Sequence, residues 1–134
     1  MKKMVFVLCV WAVALWADRG DCAPTSWELY VLNHNGEILS THRLAQKVSL
    51  QFQTCERFSG SSGCNNFFGS YERGDSAMSL LGVGVTRKMC DLKSMQIESL
   101  LLALFKDGKL PYTLQDDELI LERDSLKAVF KKTH

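Results

Sequence analysis

The sequence lacks the residue patterns that mark most metal sites and enzymes. It has only three histidines, with no His pair at helical spacing, no Cys-x-x-Cys and no acid-rich calcium loop. Gly82-x-Gly84 is without the third glycine and the following helix of a dinucleotide-binding fingerprint. Neither Ser61 nor Ser62 has the two flanking glycines of a serine-hydrolase elbow. We therefore predict no metal site, no cofactor and no catalytic residues.

The sequence also lacks an excess of charge of either sign. It carries 16 lysines and arginines against 15 acidic residues, a net charge of +1. Such a near-neutral chain has no long-range field that would attract nucleic acid or an anionic membrane. We expect no nucleic-acid partner, and we interpret Lys131-Lys132 near the C-terminus as a solvated end.

Only one long hydrophobic run is present, and it lies at the N-terminus. Lys2 and Lys3 precede apolar residues 4–17. This run of about 14 residues is shorter than the roughly 20 that a membrane-spanning helix needs, so the pattern is typical of a secretory signal peptide. A retained membrane anchor is the alternative. We assign 1–17 to the signal peptide, 18–26 to a short leader and 27–132 to one domain, and we expect an exported protein, periplasmic or secreted.

Five cysteines are present, and Cys9 would leave with the signal peptide. The other four, Cys22, Cys55, Cys64 and Cys90, are even in number, which in an oxidising compartment favours disulfides over free thiols. Cys22 lies where a bacterial lipoprotein carries its lipidated cysteine, and lipidation would anchor the protein on the outer membrane. The preceding Arg-Gly-Asp does not fit a lipoprotein signal, which needs an apolar residue three positions before the cysteine.

Alternating apolar residues and turn signals predict a domain made mostly of β-strands. Asn35-Gly36 supplies the positive φ angles of a tight hairpin turn. Residues 48–53 alternate apolar and polar side chains as a half-buried strand does. Residues 59–66 are rich in Ser, Gly and Asn and are interpreted as a loop. The other expected strands are 27–32, 37–40, 67–71, 78–86, 112–114, 118–122 and 126–130.

One helix is predicted, from about residue 92 to 106. Ile97, Leu100, Leu101 and Leu104 fall on a single face of it, and Asp91 is the expected N-cap. Short turns between the last three strands indicate antiparallel neighbours. The predicted fold class is α+β, a strongly curved antiparallel β-sheet of about seven strands with one packed α-helix.

Several short motifs follow one another along this chain. They are Trp27-x-Leu29, Asn35-Gly36, Gly63-Cys64-Asn65, Phe68-Gly69-Ser70-Tyr71, Thr86-Arg87-x-Met89-Cys90, Glu98 with Leu101 and Leu104, and Leu119-x-Leu121. This set resembles the META/HslJ-like domain over residues 27–131. The resemblance implies a small β-rich exported domain, found on bacterial envelope lipoproteins and periplasmic proteins, one of them a heat-shock protein associated with antibiotic tolerance. Its fold is similar to that of a secretion-system pilotin that holds a partner in an apolar groove.

The resemblance also implies a disulfide between Cys64 and Cys90, which would contribute roughly 3 to 4 kcal/mol by restricting the unfolded chain. Cys22 and Cys55 depart from the simplest family pattern and are available for a second bridge. Asn65 is expected to fix a turn, and Arg87 to hold carbonyls or an acid such as Glu98, or to face a partner. The motif residues with expected structural roles are Gly63, Asn65, Gly69, Tyr71, Thr86, Arg87, Met89 and Glu98.

These features favour a non-enzymatic, disulfide-stabilised envelope protein with a role in envelope stress or maintenance. We expect a monomer that binds another protein or an apolar ligand in a groove beside the helix. Membrane contact is expected only if Cys22 is lipidated or the signal segment is retained. The alternative is a thiol-dependent enzyme or redox protein that uses Cys64 or Cys90, which would require a reactive thiol.

Overall fold

Nine β-strands and one α-helix form the part of the chain that the computed structural model describes, which is residues 23–41, 44 and 46–133. All strand pairings within it are antiparallel. The strands are β1 (Thr25–His34), β2 (Glu37–Leu39), β3 (Ser49–Phe52), β4 (Arg57–Ser61), β5 (Asn66–Arg73), β6 (Ala77–Val85), β7 (Gly108–Gln115), β8 (Glu118–Arg123) and β9 (Leu126–Thr133). Helix α1 (Leu92–Leu104) lies between β6 and β7 in the chain.

Eight of these strands close into a barrel because β1 pairs on both of its edges. Residues 25–28 of β1 pair with β3, and residues 26–34 pair with β9 on the other side. The short β2 stays outside the ring and pairs with the far end of β1 after the Asn35-Gly36 turn, where both φ angles are positive. Closure removes the free strand edges that an open sheet would expose. The expected curved sheet is therefore corrected to a closed barrel, since apolar alternation does not reveal that the first and last strands meet.

The predicted loop at 59–66 is partly wrong, because residues 57–61 form β4 between β3 and β5. This strand helps to raise the count from about seven to nine. Gly60 is one of the small residues that suggested a loop, and the structure gives another reason for it. A Cβ atom at this position would collide with the Ser49 carbonyl oxygen and the Phe67 ring. Glycine is thus required here by close packing within a strand.

Helix α1 begins as predicted and ends two residues earlier, at Leu104. Asp91 is its N-cap: the carboxylate accepts hydrogen bonds from the backbone N–H and the hydroxyl of Ser94, at 3.2 and 2.7 Å. These bonds lower the pKa of Asp91. Ile97, Leu101 and Leu104 are buried, so three of the four residues on the predicted face pack in the core, and Leu100 is half-buried.

The residue after the helix, Phe105, joins an aromatic cluster inside the barrel. Its ring stacks on Phe67 with centroids 4.9 Å apart, and it also contacts Phe58 and Phe130. All four rings are almost fully buried. Aromatic packing of this kind connects the helix to strands on several sides of the barrel.

The two ends of the barrel differ. Helix α1 leaves from the end of β6, and Val85 there pairs with Phe67 near the start of β5, so the helix and the β4–β5 loop share one end. We call this the helix end. The opposite end, where β1 begins at Thr25 and β5 ends at Arg73, we call the mouth.

Candidate functional site

The disulfide between Cys64 and Cys90 lies at the helix end, as predicted. Its two Cα atoms are 6.1 Å apart and 26 positions separate them in sequence. The bond joins the β4–β5 loop to the segment that leads into α1. Cys64 is buried. Both sulfurs are in the bond, so neither is a free thiol.

Asn65 joins the same two segments through its side chain. Its Oδ1 accepts hydrogen bonds from the Lys88 backbone N–H at 2.6 Å and from the Thr86 hydroxyl at 3.0 Å. Its Nδ2 donates to the Lys88 carbonyl at 3.0 Å. The amide therefore pairs with the Lys88 backbone much as a neighbouring strand would. Asn65 is buried, and its polar atoms are satisfied by these bonds.

Ser62 connects this loop to the helix. Its hydroxyl accepts hydrogen bonds from the backbone N–H groups of Cys64 and Asn65 and donates to Glu98 Oε1 at 2.8 Å. Ser62 and Glu98 are both buried. We call this group, Ser62, Cys64, Asn65, Thr86, Lys88, Cys90 and Glu98, the clasp. Its disulfide and hydrogen bonds join the β4–β5 loop to the segment before α1 and to α1 itself.

The remaining motif residues fall into three settings. Gly63 has φ of +92° and faces Leu44, and Gly69 lies against the Phe58 ring. Arg87 and Met89 are exposed beside the clasp. Tyr71 lies at the mouth, far along β5 from the clasp. The motif residues that the family resemblance groups together therefore lie at opposite ends of the barrel.

A cavity of about 460 Å³ opens at the mouth. This volume is within the range of small-molecule sites, about 300 to 1,000 Å³. This cavity is at the opposite end of the barrel from the helix, so it is not the groove that was expected beside the helix. Its apolar and aromatic walls are formed by Trp27, Phe52, Tyr71, Met78, Tyr112, Leu114 and Leu119.

The polar atoms of the tyrosine and tryptophan side chains that line the cavity are hydrogen-bonded to other groups of the protein. The Tyr71 hydroxyl donates to the Thr54 carbonyl at 2.9 Å, and the Tyr112 hydroxyl donates to the Gly74 carbonyl at 2.5 Å. The Trp27 Nε1 donates to the Thr25 hydroxyl at 3.0 Å. Burial raises the pKa of Tyr71, opposed in part by the charge of Arg73. These side chains thus present apolar ring surface to the cavity.

Cys55 is also among the residues that line the cavity, and it is disulfide-bonded. The predicted partner, Cys22, lies outside the described residues. The chain segment around Cys55 is therefore covalently fixed beside the mouth.

Two polar residues that matter to the fold were missed by sequence reasoning. Arg123 is buried, and its guanidinium donates to the backbone carbonyls of Leu104, Lys106 and Lys109, where the helix ends. Burial lowers its pKa. Asp107 accepts hydrogen bonds from two backbone N–H groups of β6, and these bonds lower its pKa. The sequence offers an indication only for Arg123, which falls at an inward-facing position of a strand whose side chains alternate between the two faces.

Within the described residues, no group of three or more His, Cys, Asp or Glu side chains is arranged to hold a metal ion. No helix in the same part of the chain has the length and hydrophobicity needed to cross a membrane.

Together these features define a class of protein: a small antiparallel β-barrel that a helix covers at one end and that opens into an aromatic cavity at the other. The chain belongs to the META domain family, whose family model matches residues 21–134. No curated protein matches the chain in sequence.

Two solved structures are similar to this fold. One is the NMR structure of a protein from Burkholderia xenovorans, 23% identical, which aligns over 99% of each chain with a TM-score of 0.68. The other is also an NMR structure, 20% identical, covering 80% of this chain and 87% of that one with a TM-score of 0.63. At these identities the similarity shows a shared fold.

Proposed function

We propose that this protein is a non-enzymatic binding protein whose mouth holds a small ligand with an apolar body. The observation that carries the proposal is the aromatic cavity whose tyrosine and tryptophan polar atoms are already bonded to the protein. Leu114 adds to it, because this large apolar side chain lines the cavity and is 46% exposed. An apolar ligand would remove that surface from water, which is favourable.

Titration calorimetry with decanol, an uncharged alkyl alcohol, tests this proposal. We expect saturable binding of one decanol per chain. Replacing Leu114→Asn should weaken binding about three- to tenfold, because part of the apolar contact is lost. The matched control is Leu81→Asn, since Leu81 is 69% exposed and does not line the cavity. Absence of binding, or an equal loss in both variants, would contradict the proposal.

We further propose that the protein is exported and acts in the envelope, in stress response or maintenance, like the HslJ-like members of its family. Support comes from the Lys2-Lys3 pair before an apolar run and from disulfide-bonded Cys55, Cys64 and Cys90, since disulfides persist in oxidising compartments. Cell fractionation and the intact mass of the processed protein test this. A start near residue 18 is expected. A cytosolic protein with its first 17 residues attached would contradict export, and acyl mass on Cys22 would show lipidation.

We infer that Cys64 and Cys90 act in the clasp and not as reactive thiols. Alkylation of the native protein should leave both unmodified, whereas a rapidly alkylated Cys64 would favour the thiol-dependent alternative.

A further inference from the structure

Two of the motif residues, Arg87 and Met89, have no role in the clasp beside them. Arg87 was expected to hold an acid such as Glu98 or to face a partner. Glu98 instead accepts a hydrogen bond from the Ser62 hydroxyl, and Arg87 is exposed. Met89 is 85% exposed, and Leu92, the first residue of α1, is 89% exposed. Single apolar side chains are common on protein surfaces, whereas clustered ones mark interaction sites.

Met89 and Leu92 are close together at the helix end. They are three positions apart in sequence, so their Cα atoms are within about 11 Å of each other. The Cα–Cβ bonds of an α-helix tilt toward its N-terminus. The side chains of Leu92 and Lys93 in the first turn therefore lean toward Met89. We call five exposed residues of this segment the tip: Arg87, Lys88, Met89, Leu92 and Lys93.

The clasp fixes the backbone on both sides of Met89. The N–H and the carbonyl of Lys88 are both hydrogen-bonded to the Asn65 side chain. Cys90 is held by the disulfide, and Asp91 caps the helix. The exposed Met89 side chain is thus presented on a rigid support. Because this support is already ordered, contact with another surface would cost little further conformational entropy.

Positive charge surrounds the two apolar side chains, since the other three tip residues are cations. In the part of the chain that the structure describes, no ion pair involves any of the three. Residues 86–93 and the β4–β5 loop beside them contain one acidic residue, Asp91. Glu98, further along α1, is buried. Even with Glu98 counted, the cations outnumber the acids.

We propose that the tip binds the surface of a bilayer that contains anionic phospholipids. Met89 and Leu92 enter the boundary between headgroups and acyl chains, and the cations contact the phosphate groups. The local excess of positive charge selects this partner. Attraction between a basic segment and an anionic surface acts over about a Debye length, roughly 8 Å at physiological salt, so the near-neutral charge of the whole chain does not prevent it.

The shape of the tip favours a membrane over a protein partner. A standard protein interface buries roughly 800 Å² on each side. Two projecting apolar side chains ringed by cations make a smaller contact, which suits a surface of mobile lipids that can close around them. The proposal goes beyond the ligand site at the mouth and is independent of it, because the tip and the mouth are at opposite ends of the barrel.

Co-sedimentation with lipid vesicles tests the proposal. The vesicles contain phosphatidylcholine alone or an equal mixture of phosphatidylcholine and phosphatidylglycerol. The protein is used as its cells process it, so the parent and all variants share one N-terminus. We expect the mixed vesicles to bind at least about tenfold more tightly, because each cation near an anionic surface adds to the affinity. Raising the salt concentration should reduce this preference.

Polar substitutions of the two apolar side chains test their insertion. Met89→Gln and Leu92→Asn should each weaken binding to the mixed vesicles about three- to tenfold, because less apolar surface leaves water. The matched control is Leu81→Asn, since Leu81 is also a largely exposed leucine and lies outside the tip. Its affinity should stay within about twofold of the parent. Circular dichroism of each variant checks that the protein remains folded.

A further variant tests the charge. Lys93→Gln should weaken binding to the mixed vesicles about fivefold and leave binding to phosphatidylcholine vesicles unchanged. The matched control is Lys131→Gln on β9. Lys131 is exposed away from the tip, with its Nζ 3.7 Å from the centroid of the Tyr30 ring. This control should bind the mixed vesicles as the parent does.

The position of the contact is measured by NMR in bicelles of the mixed lipids that carry a spin-labelled lipid. The amide signals of residues 87–93 should broaden, and those of the mouth should stay sharp. Equal affinity for the two kinds of vesicle, equal losses in tip and control variants, or broadening away from residues 87–93 would each overturn the proposal. A polyglutamate peptide that binds the tip more tightly than the mixed vesicles would show that the partner is an acidic protein instead.

Discussion

At the scale of single residues, the clasp depends on buried polar groups that hydrogen-bond to one another. Asn65 is the centre of this arrangement, because its amide both donates to and accepts from the Lys88 backbone. Only an amide side chain offers that combination in one plane. Removing one partner leaves the other buried without a hydrogen bond. The free energy lost in this way exceeds the net contribution of a typical hydrogen bond to stability.

Replacing Asn65→Asp should lower the free energy of unfolding by about 1 to 3 kcal/mol. The carboxylate keeps the size of the side chain and loses the two N–H donors, so the Lys88 carbonyl would face an oxygen. Asn66→Asp is the matched control, because Asn66 is exposed and such changes stay within about 0.5 kcal/mol. Urea unfolding of both variants measures the difference, and equal losses would contradict the role of Asn65.

Asp107 should make stability depend on pH. Two backbone N–H groups hold its pKa below the ordinary value of 3.8. A carboxyl group with a lowered folded-state pKa adds stability above its unfolded value, and this stability is lost as the pH falls through the folded-state pKa. We expect Asp107→Asn to be less stable than the parent at neutral pH, with the difference shrinking in acid below the value of 3.8. Urea unfolding across this range measures it, and a difference that stays constant with pH would contradict the account.

At the scale of elements, the sequence predicts what depends on local periodicity and capping. The start of α1 at Asp91, its buried face and the Asn35-Gly36 turn are confirmed because each follows from neighbouring residues. Strand β4 was not predicted because its small residues suggested a loop. Gly60 is needed in this strand because the Phe67 ring, which belongs to another strand, leaves no room for a Cβ atom. The cavity could not be located either, since its walls come from strands distant in sequence.

Arg123 shows how one strand stabilises the end of the helix. Arg123→Lys should lower the free energy of unfolding by about 1 to 3 kcal/mol, because one ammonium group cannot reach the carbonyls that the guanidinium fork spans. Arg57→Lys is the control, since Arg57 is exposed on β4. Thermal unfolding of the two variants measures the effect, and a stable Arg123→Lys protein would rule out this role.

At the scale of the whole molecule, the barrel separates its stabilising clasp from its open cavity. The Cys64→Ser, Cys90→Ser double variant should lose about 3 to 4 kcal/mol of unfolding free energy, since the unfolded chain regains its freedom. Because the clasp is at the helix end, decanol affinity at the mouth should stay within about twofold, as expected of distant sites. Urea unfolding and calorimetry test the two parts. Undiminished stability, or a large loss of affinity in the folded variant, would contradict this separation.

The central claim is that the mouth of the barrel is the ligand site. The most direct measurement is a titration of the isotope-labelled protein with decanol, followed by the backbone amide signals in NMR spectra. We predict that the shifting signals belong to the residues at the mouth, such as those around Trp27, Tyr71 and Leu114. Shifts concentrated instead around the exposed outer side chains Phe68, Leu81 and Met89, with the mouth signals unchanged, would contradict the claim.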